Sequence, residues 1–160
     1  MDIERFTKEE LILSAMKSEI DSYNIYMQLS NIVKNFLLKE KLKFLAEEEK
    51  KHRKIFYNIY KDIYKKEPVV PEKTFVPLPE IKIEENMQIS DLLSQSMEAE
   101  KSAYDFYLSM VDKFEDKISK LLKYIASMEM GHFKLLEIER EHLEYFEDFD
   151  AEWPMIHMGA

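Results

Sequence analysis

The sequence predicts an all-α fold, a four-helix bundle with one long crossover, and three observations carry that prediction. Its 160 residues include only two glycines, Gly131 and Gly159, and five prolines. Four of the prolines (Pro68, Pro71, Pro77 and Pro79) fall in one stretch, so residues 1–67 and 80–130 contain neither residue that most readily breaks a helix. A β-rich chain of this length needs many Gly, Pro and Asn turns, which excludes sandwiches and barrels. The remainder is rich in Glu, Lys, Leu, Met and Ala, all favourable in helices. Its apolar residues also recur at alternating steps of three and four.

The elements follow in order. Thr7 and Glu10 have the T-x-x-E pattern of a capping box and open a first helix expected over about residues 8–34. A single helix running on to residue 65 would exceed about 50 residues, so a short turn is expected around Lys34, Asn35 and Phe36. The second helix then covers about 37–65 and ends before Pro68. Residues 66–88 read as a crossover within one domain, because neither flank could bury its apolar stripe alone. Ser90 and Asp91 are placed to cap a third helix over 89–113, and Asp116 a fourth over 117–146. The expected bundle is therefore residues 1–146. An acidic, aromatic tail over 147–160, containing Trp153 and Pro154, is not expected to be helical.

Charge and cysteine content narrow the function classes. Lys and Arg number 23 against 32 Asp and Glu, for a net charge of −9. That argues against nucleic acid or an anionic membrane as the main partner. With no cysteine, the chain has no disulfide, thiolate metal site or iron–sulfur centre of its own. The opening residues are acidic where a signal peptide is basic, and no apolar run approaches about 18 residues. The expectation is a soluble, cytoplasmic protein.

Each stripe is interrupted by a carboxylate at a core position. The first reads Ile12, Met16, Glu19, Tyr23, Tyr26, and the second Leu42, Leu45, Glu49, His52, Phe56, Ile59, Ile63. The third reads Leu93, Met97, Glu100, Tyr104, Tyr107, Val111, and the fourth Ile118, Leu122, Ile125, Glu129, His132, Leu136. The interruptions repeat. AMKSEIDSYNIY (15–26) aligns with SMEAEKSAYDFY (96–107), and LKFLAEEEKKH (42–52) with LKYIASMEMGH (122–132). Glu19 thus falls on Glu100, Glu49 on Glu129 and His52 on His132. Each half is one helix bearing a Glu followed by one bearing Glu-x-x-His.

Positions i and i+3 share a helix face, so Glu and His at that spacing can serve one metal or an adjacent pair. A buried, unpaired carboxylate costs several kcal/mol, so four in one core could not all stay ionised without cations. Two divalent cations balance four carboxylates. Six donors suffice for two metals if Glu49 and Glu129 bridge and Glu19 and Glu100 are terminal. This is the donor set of ferritin-like di-iron bundles.

Other residues carry weaker signals. Tyr23, Tyr26, Tyr104 and Tyr107 lie one and two turns from the candidate ligands. They read either as packing, or as hydrogen-bond donors to the ligand carboxylates or redox-active groups, Tyr26 and Tyr107 being the pair singled out. Glu139-x-x-His142 repeats the spacing without a matching Glu at its level, and reads as a solvated face or an incidental pair. Glu47, Glu48 and Glu98 lie off the stripes and read as solvated. Gly131 reads as making room for close packing or for the metals. His157 is not expected to bind metal, and the methionines read as core filler.

These motifs, over residues 8–146, resemble the rubrerythrin-like branch of the ferritin-like di-iron superfamily. The resemblance rests on Glu19 with its following Asn-Ile-Tyr, AEEEKKH, Glu100 with its following Asp-Phe-Tyr, and the second Glu-x-x-His. It implies a non-haem di-iron oxidoreductase that reduces hydrogen peroxide to water, working as a homodimer. Iron is the implied metal, and manganese also suits such donors. Two departures matter. The family commonly appends a cysteine-ligated rubredoxin domain, so here the electrons must come from an external, rubredoxin-type donor. It also commonly adds a glutamate one turn after the third-helix ligand, where this chain has Ala103. The resulting symmetric set is closer to that of bacterioferritins, whose centres oxidise ferrous iron. Three readings stay open: a peroxidase, a ferroxidase or iron-handling protein, and a non-catalytic metal-stabilised bundle.

Overall fold

The computed structural model describes residues 1–152, with side chains through Tyr145. Four α-helices and a short 3-10 turn account for its regular structure, with no strand among the described residues. Helix α1 spans Lys8–Ile32, α2 Phe36–Tyr64, α3 Ile89–Met110 and α4 Asp116–Glu152. The 3-10 turn, Val111–Lys113, follows α3.

The helix ends show how local chemistry sets these bounds. Thr7 and Glu10 form the capping box: the Glu10 backbone N–H donates to the Thr7 hydroxyl at 3.1 Å, and the Thr7 N–H to the Glu10 carboxylate at 2.8 Å. Asn35 ends the turn between α1 and α2, its side-chain oxygen accepting from the Leu38 N–H at 2.9 Å. Ser90 and Asp91, expected as the α3 cap, are instead inside that helix. Its N-cap is Gln88, which uses no side-chain bond. Asp116 lies inside the first turn of α4, where its negative charge complements the helix dipole.

At its far end, α4 runs six residues beyond the expected 146, so 147–152 are helical. No Gly or Pro lies between Gly131 and Pro154 to stop it, and a residue before proline disfavours the helical region. The rest of the expected tail, with Trp153, Pro154 and His157, lies outside the described residues.

α1 packs on α2 and α3 on α4 as two antiparallel hairpins. The crossover between them is fastened to α1 by Ser14, a fully buried residue. Its hydroxyl accepts from the backbone N–H groups of Phe75 at 2.9 Å and Val76 at 3.2 Å. These bonds seat the Val76 side chain, which is fully buried.

The apolar core falls into two clusters. One gathers Leu11, Ile12, Met16, Phe56, Phe106, Met110, Leu122 and Ile125. The other gathers Leu29, Leu38, Leu42, Leu45, Leu92, Leu93 and Leu136. Along every helix the candidate ligands fall between the residues of these two clusters. The polar layer therefore sits mid-bundle, sealed from both ends. No helix among the described residues is long and apolar enough to cross a membrane.

Candidate metal centre

The structure brings all six predicted residues into one layer. Glu19, Glu49, His52, Glu100, Glu129 and His132 are each 1–3% exposed. Their ligand-type atoms form two overlapping groups, each within 4.8 Å throughout: Glu19, Glu49, His52 and Glu129, then Glu49, Glu100, Glu129 and His132. Glu49 and Glu129 belong to both groups. Each group takes its remaining Glu and His from one hairpin.

Distances show how closely the donors converge. His52 Nδ1 lies 2.7 Å from Glu129 Oε1, 3.3 Å from Glu49 Oε2 and 3.6 Å from Glu19 Oε2. His132 Nδ1 lies 3.2 Å from Glu49 Oε1, 3.6 Å from Glu100 Oε2 and 3.7 Å from Glu129 Oε2. The two imidazole planes are within 14° of parallel, their centroids 5.5 Å apart.

Whether these residues suit a metal can be tested on their hydrogen bonding. His52 Nδ1, Glu49 Oε2 and Glu129 Oε1 are buried, and none has a hydrogen-bond partner among the described residues. At 2.7 Å, His52 Nδ1 and Glu129 Oε1 are close enough to bond yet not aligned to do so. Buried polar atoms are nearly always paired. Three unpartnered polar atoms from three residues, converging in a buried layer, are what a cation would satisfy. The donor set fits: carboxylates and imidazoles suit iron, manganese or zinc.

Electrostatics agree. Burial, followed by the neighbouring carboxylates, pushes the carboxyls of Glu49 and Glu129 well above their ordinary range. Burial alone would also raise Glu100, but contacts with Glu129, His132 and Tyr26 outweigh it and hold the group at about 2. Burial would depress His52, yet Glu129, Glu19 and Glu49 around it push it up to about 12. His132 moves the same way against the same opposition. Such a layer binds protons until cations displace them.

Two tyrosines clamp the layer crosswise. The Tyr26 hydroxyl donates to Glu100 Oε1, and the Tyr107 hydroxyl to Glu19 Oε1. Both tyrosines are buried, and burial raises both hydroxyls well above their usual range, so they stay donors. Tyr26 aligns with Tyr107 and Glu19 with Glu100, so the paired contacts are reciprocal, as across a two-fold axis. Tyr23 and Tyr104 are half-buried, the ring of Tyr104 lying under Lys101 at 4.9 Å.

Three readings of flanking residues are corrected. Glu48 is buried, not solvated, at 8% exposure. One of its oxygens lies within 4.8 Å of a nitrogen of each histidine. Glu139 is also buried, at 7%, and holds the Lys41 ammonium across the α2–α4 interface. Gly131 faces solvent, and a Cβ there would meet nothing within 4 Å, so it neither eases packing nor makes room for metals. Glu47 and Glu98 are exposed, and so is His142.

Sequence reasoning also missed a cavity. It has a volume of about 400 Å³ and lies between α1, α3 and the crossover. Ser18, Ser22, Ala99 and Ala103 line it, with Lys73 and Glu80 contributed by the crossover. Ser18 precedes Glu19, and Ala99 precedes Glu100. In the repeat, Ser18 aligns with Ala99 and Ser22 with Ala103, so small side chains at matched positions leave this space.

A family model described as rubrerythrin matches residues 10–139 of the chain. Among solved structures, a hypothetical protein from Pyrococcus furiosus is similar. It shares 33% identity over 91% of this chain and 95% of its own, with a TM-score of 0.79. No curated protein matches.

Proposed function

Because this chain belongs to the rubrerythrin family, with the all-α, ferritin-like four-helix bundle that implies, we propose that it is a di-iron oxidoreductase that reduces hydrogen peroxide. The observation that supports this most is the pair of overlapping donor groups sharing Glu49 and Glu129. Glu19 and His52 would hold one iron and Glu100 and His132 the other, with Glu49 and Glu129 bridging. When bound, two ferrous ions supply one electron each to hydrogen peroxide, which with two protons yields two water molecules.

The protein's part is positional. Tyr26 and Tyr107 each donate a hydrogen bond to one oxygen of a terminal carboxylate, leaving its other oxygen for metal. The two apolar clusters exclude bulk water from the layer. The cavity at Ser22 and Ala103 is the approach assigned to the oxidant. Electrons would come from a rubredoxin-type donor, for which these 160 residues supply no cysteine ligands. A homodimer would cover Phe36 and Leu37, which are 69% and 67% exposed at the start of α2.

Ala103 favours a second reading. A glutamate there would give one metal an extra donor. With alanine the two groups match in composition, as in centres that oxidise ferrous iron with oxygen. Stopped-flow oxidation of the anaerobic diferrous protein separates the two. Peroxide should oxidise it at least tenfold faster than oxygen. Equal rates would remove the basis for the peroxidase and favour the ferroxidase. Size-exclusion chromatography distinguishes the expected dimer from a shell of many subunits.

A further inference from the structure

The six candidate ligands repeat faithfully between the hairpins, but the residue before each bridging glutamate does not. It is Glu48 on α2 and Met128 on α4. Glu48 reaches the histidine layer without belonging to either group of four. One of its oxygens, a nitrogen of His52 and a nitrogen of His132 lie within 4.8 Å of one another.

His132 has an unanswered need. Its Nδ1 faces Glu49, Glu100 and Glu129, the side where a metal would sit. Its Nε2 is buried without a hydrogen-bond partner among the described residues. A histidine that gives one ring nitrogen to a metal carries its proton on the other, and that N–H requires an acceptor. Glu48 is a nearby carboxylate with no other role in the layer. Among the described residues it pairs with Lys51 at 2.6 Å, a side chain itself 67% exposed.

We propose that Glu48 is a positioning residue that accepts a hydrogen bond from His132 Nε2, making two metal positions with matching ligands unequal in affinity. The carboxylate fixes the tautomer and ring orientation of His132 and raises its basicity as a ligand. Glu48 lies near both histidines, but among the described residues it is His132, not His52, that leaves a buried Nε2 without a partner, and Met128, at the matching place in the other half, offers His52 no acceptor of its own. The position built on Glu100 and His132 therefore fills first. This rests on the six-residue centre under "Proposed function".

The test is anaerobic titration of the metal-free, full-length chain with Mn²⁺, followed by calorimetry. Wild type should bind two ions with resolved affinities. Glu48→Gln should weaken the tighter site by about 10- to 100-fold, the usual cost of losing such a partner, and leave the weaker site alone. Met128→Glu should tighten the weaker site and bring the two together. Lys51→Ala, which removes only the exposed ion pair, should change neither. The proposal is overturned if Glu48→Gln leaves both affinities unchanged or lowers them equally. It is also overturned if that variant loses a third bound ion, which would make Glu48 a ligand. Should Glu48→Gln not fold, Met128→Glu decides alone, and an unaltered weaker site counts against the proposal. A wild-type chain that does not bind two ions overturns the metal centre as well.

Discussion

The α1–α2 hairpin and the α3–α4 hairpin match at the three ligand positions and differ at several positions close around them. Glu19, Glu49 and His52 have their counterparts in Glu100, Glu129 and His132, and the clamping tyrosines match too. Yet Glu48 faces Met128, Ser22 faces Ala103, and Ile59 stands where the other half has Glu139. The likeness lies where lone pairs must converge on shared points. The differences lie one residue or one turn away, where each half packs against its own neighbours. In this bundle the repeat retains every lone-pair donor of the layer, and the departures from it distinguish the halves.

The largest expected effect tests the likeness. Glu49→Ala or Glu129→Ala should each abolish binding of two metals per chain, measured by elemental analysis, because each residue belongs to both groups. If one of them leaves a full complement, the halves are not joined through these carboxylates.

Proton linkage gives the next effect. Glu49, Glu129 and His52 all have raised values, so the folded metal-free chain holds more protons than the unfolded one. Stability from such groups is full below their unfolded values, 4.5 for Glu and 6.5 for His, and is lost as pH rises toward the folded ones. Chelator-stripped protein should therefore melt at progressively lower temperature as pH rises from about 4.5 through neutral. Metal-loaded protein should not show this decline. A flat profile for stripped protein would mean the layer is not protonated.

Glu139 sharpens the contrast between the two types of Glu-x-x-His. Glu139→Ala should leave metal content unchanged and cost about 1–2 kcal/mol in denaturant unfolding. That lies between exposed and buried ion pairs, because Lys41 is 43% exposed. Loss of metal would mean that this second Glu-x-x-His is coupled to the centre after all.

The smallest effect concerns Gly131, between Glu129 and His132. Gly131→Ala should stabilise α4 by about 1 kcal/mol with metal content unchanged, since nothing lies within 4 Å of the added methyl. Destabilisation would show that the position has a role the structure does not display.

What was legible in the sequence follows the same division. The helices and the six-residue layer could be read because local spacing and an internal repeat encode them. Thr7 and Glu10 announce α1 by themselves, and Glu-x-x-His announces a shared face. Glu48 was missed because position 48 turns about 100° from its ligand neighbour and leaves the stripe. Its burial comes from the tertiary packing that brings it near His132 of α4. A methionine at the matching position 128 was the available sign that this face meets protein. Glu139 was missed because its partner, Lys41, comes from the other hairpin, 98 residues away. The antiparallel register that sets Glu49 beside Glu129 brings those two together two to three turns further along. The end of α4 was misplaced because an acidic, aromatic sequence looked like a tail, though nothing in it stops a helix before Pro154.

Elemental analysis of anaerobically purified protein tests the di-metal centre most directly. Two iron or manganese ions per chain are expected, falling below one in Glu129→Ala. Protein that purifies and can be reloaded with no more than one ion per chain, or whose content is the same in Glu129→Ala, would contradict it.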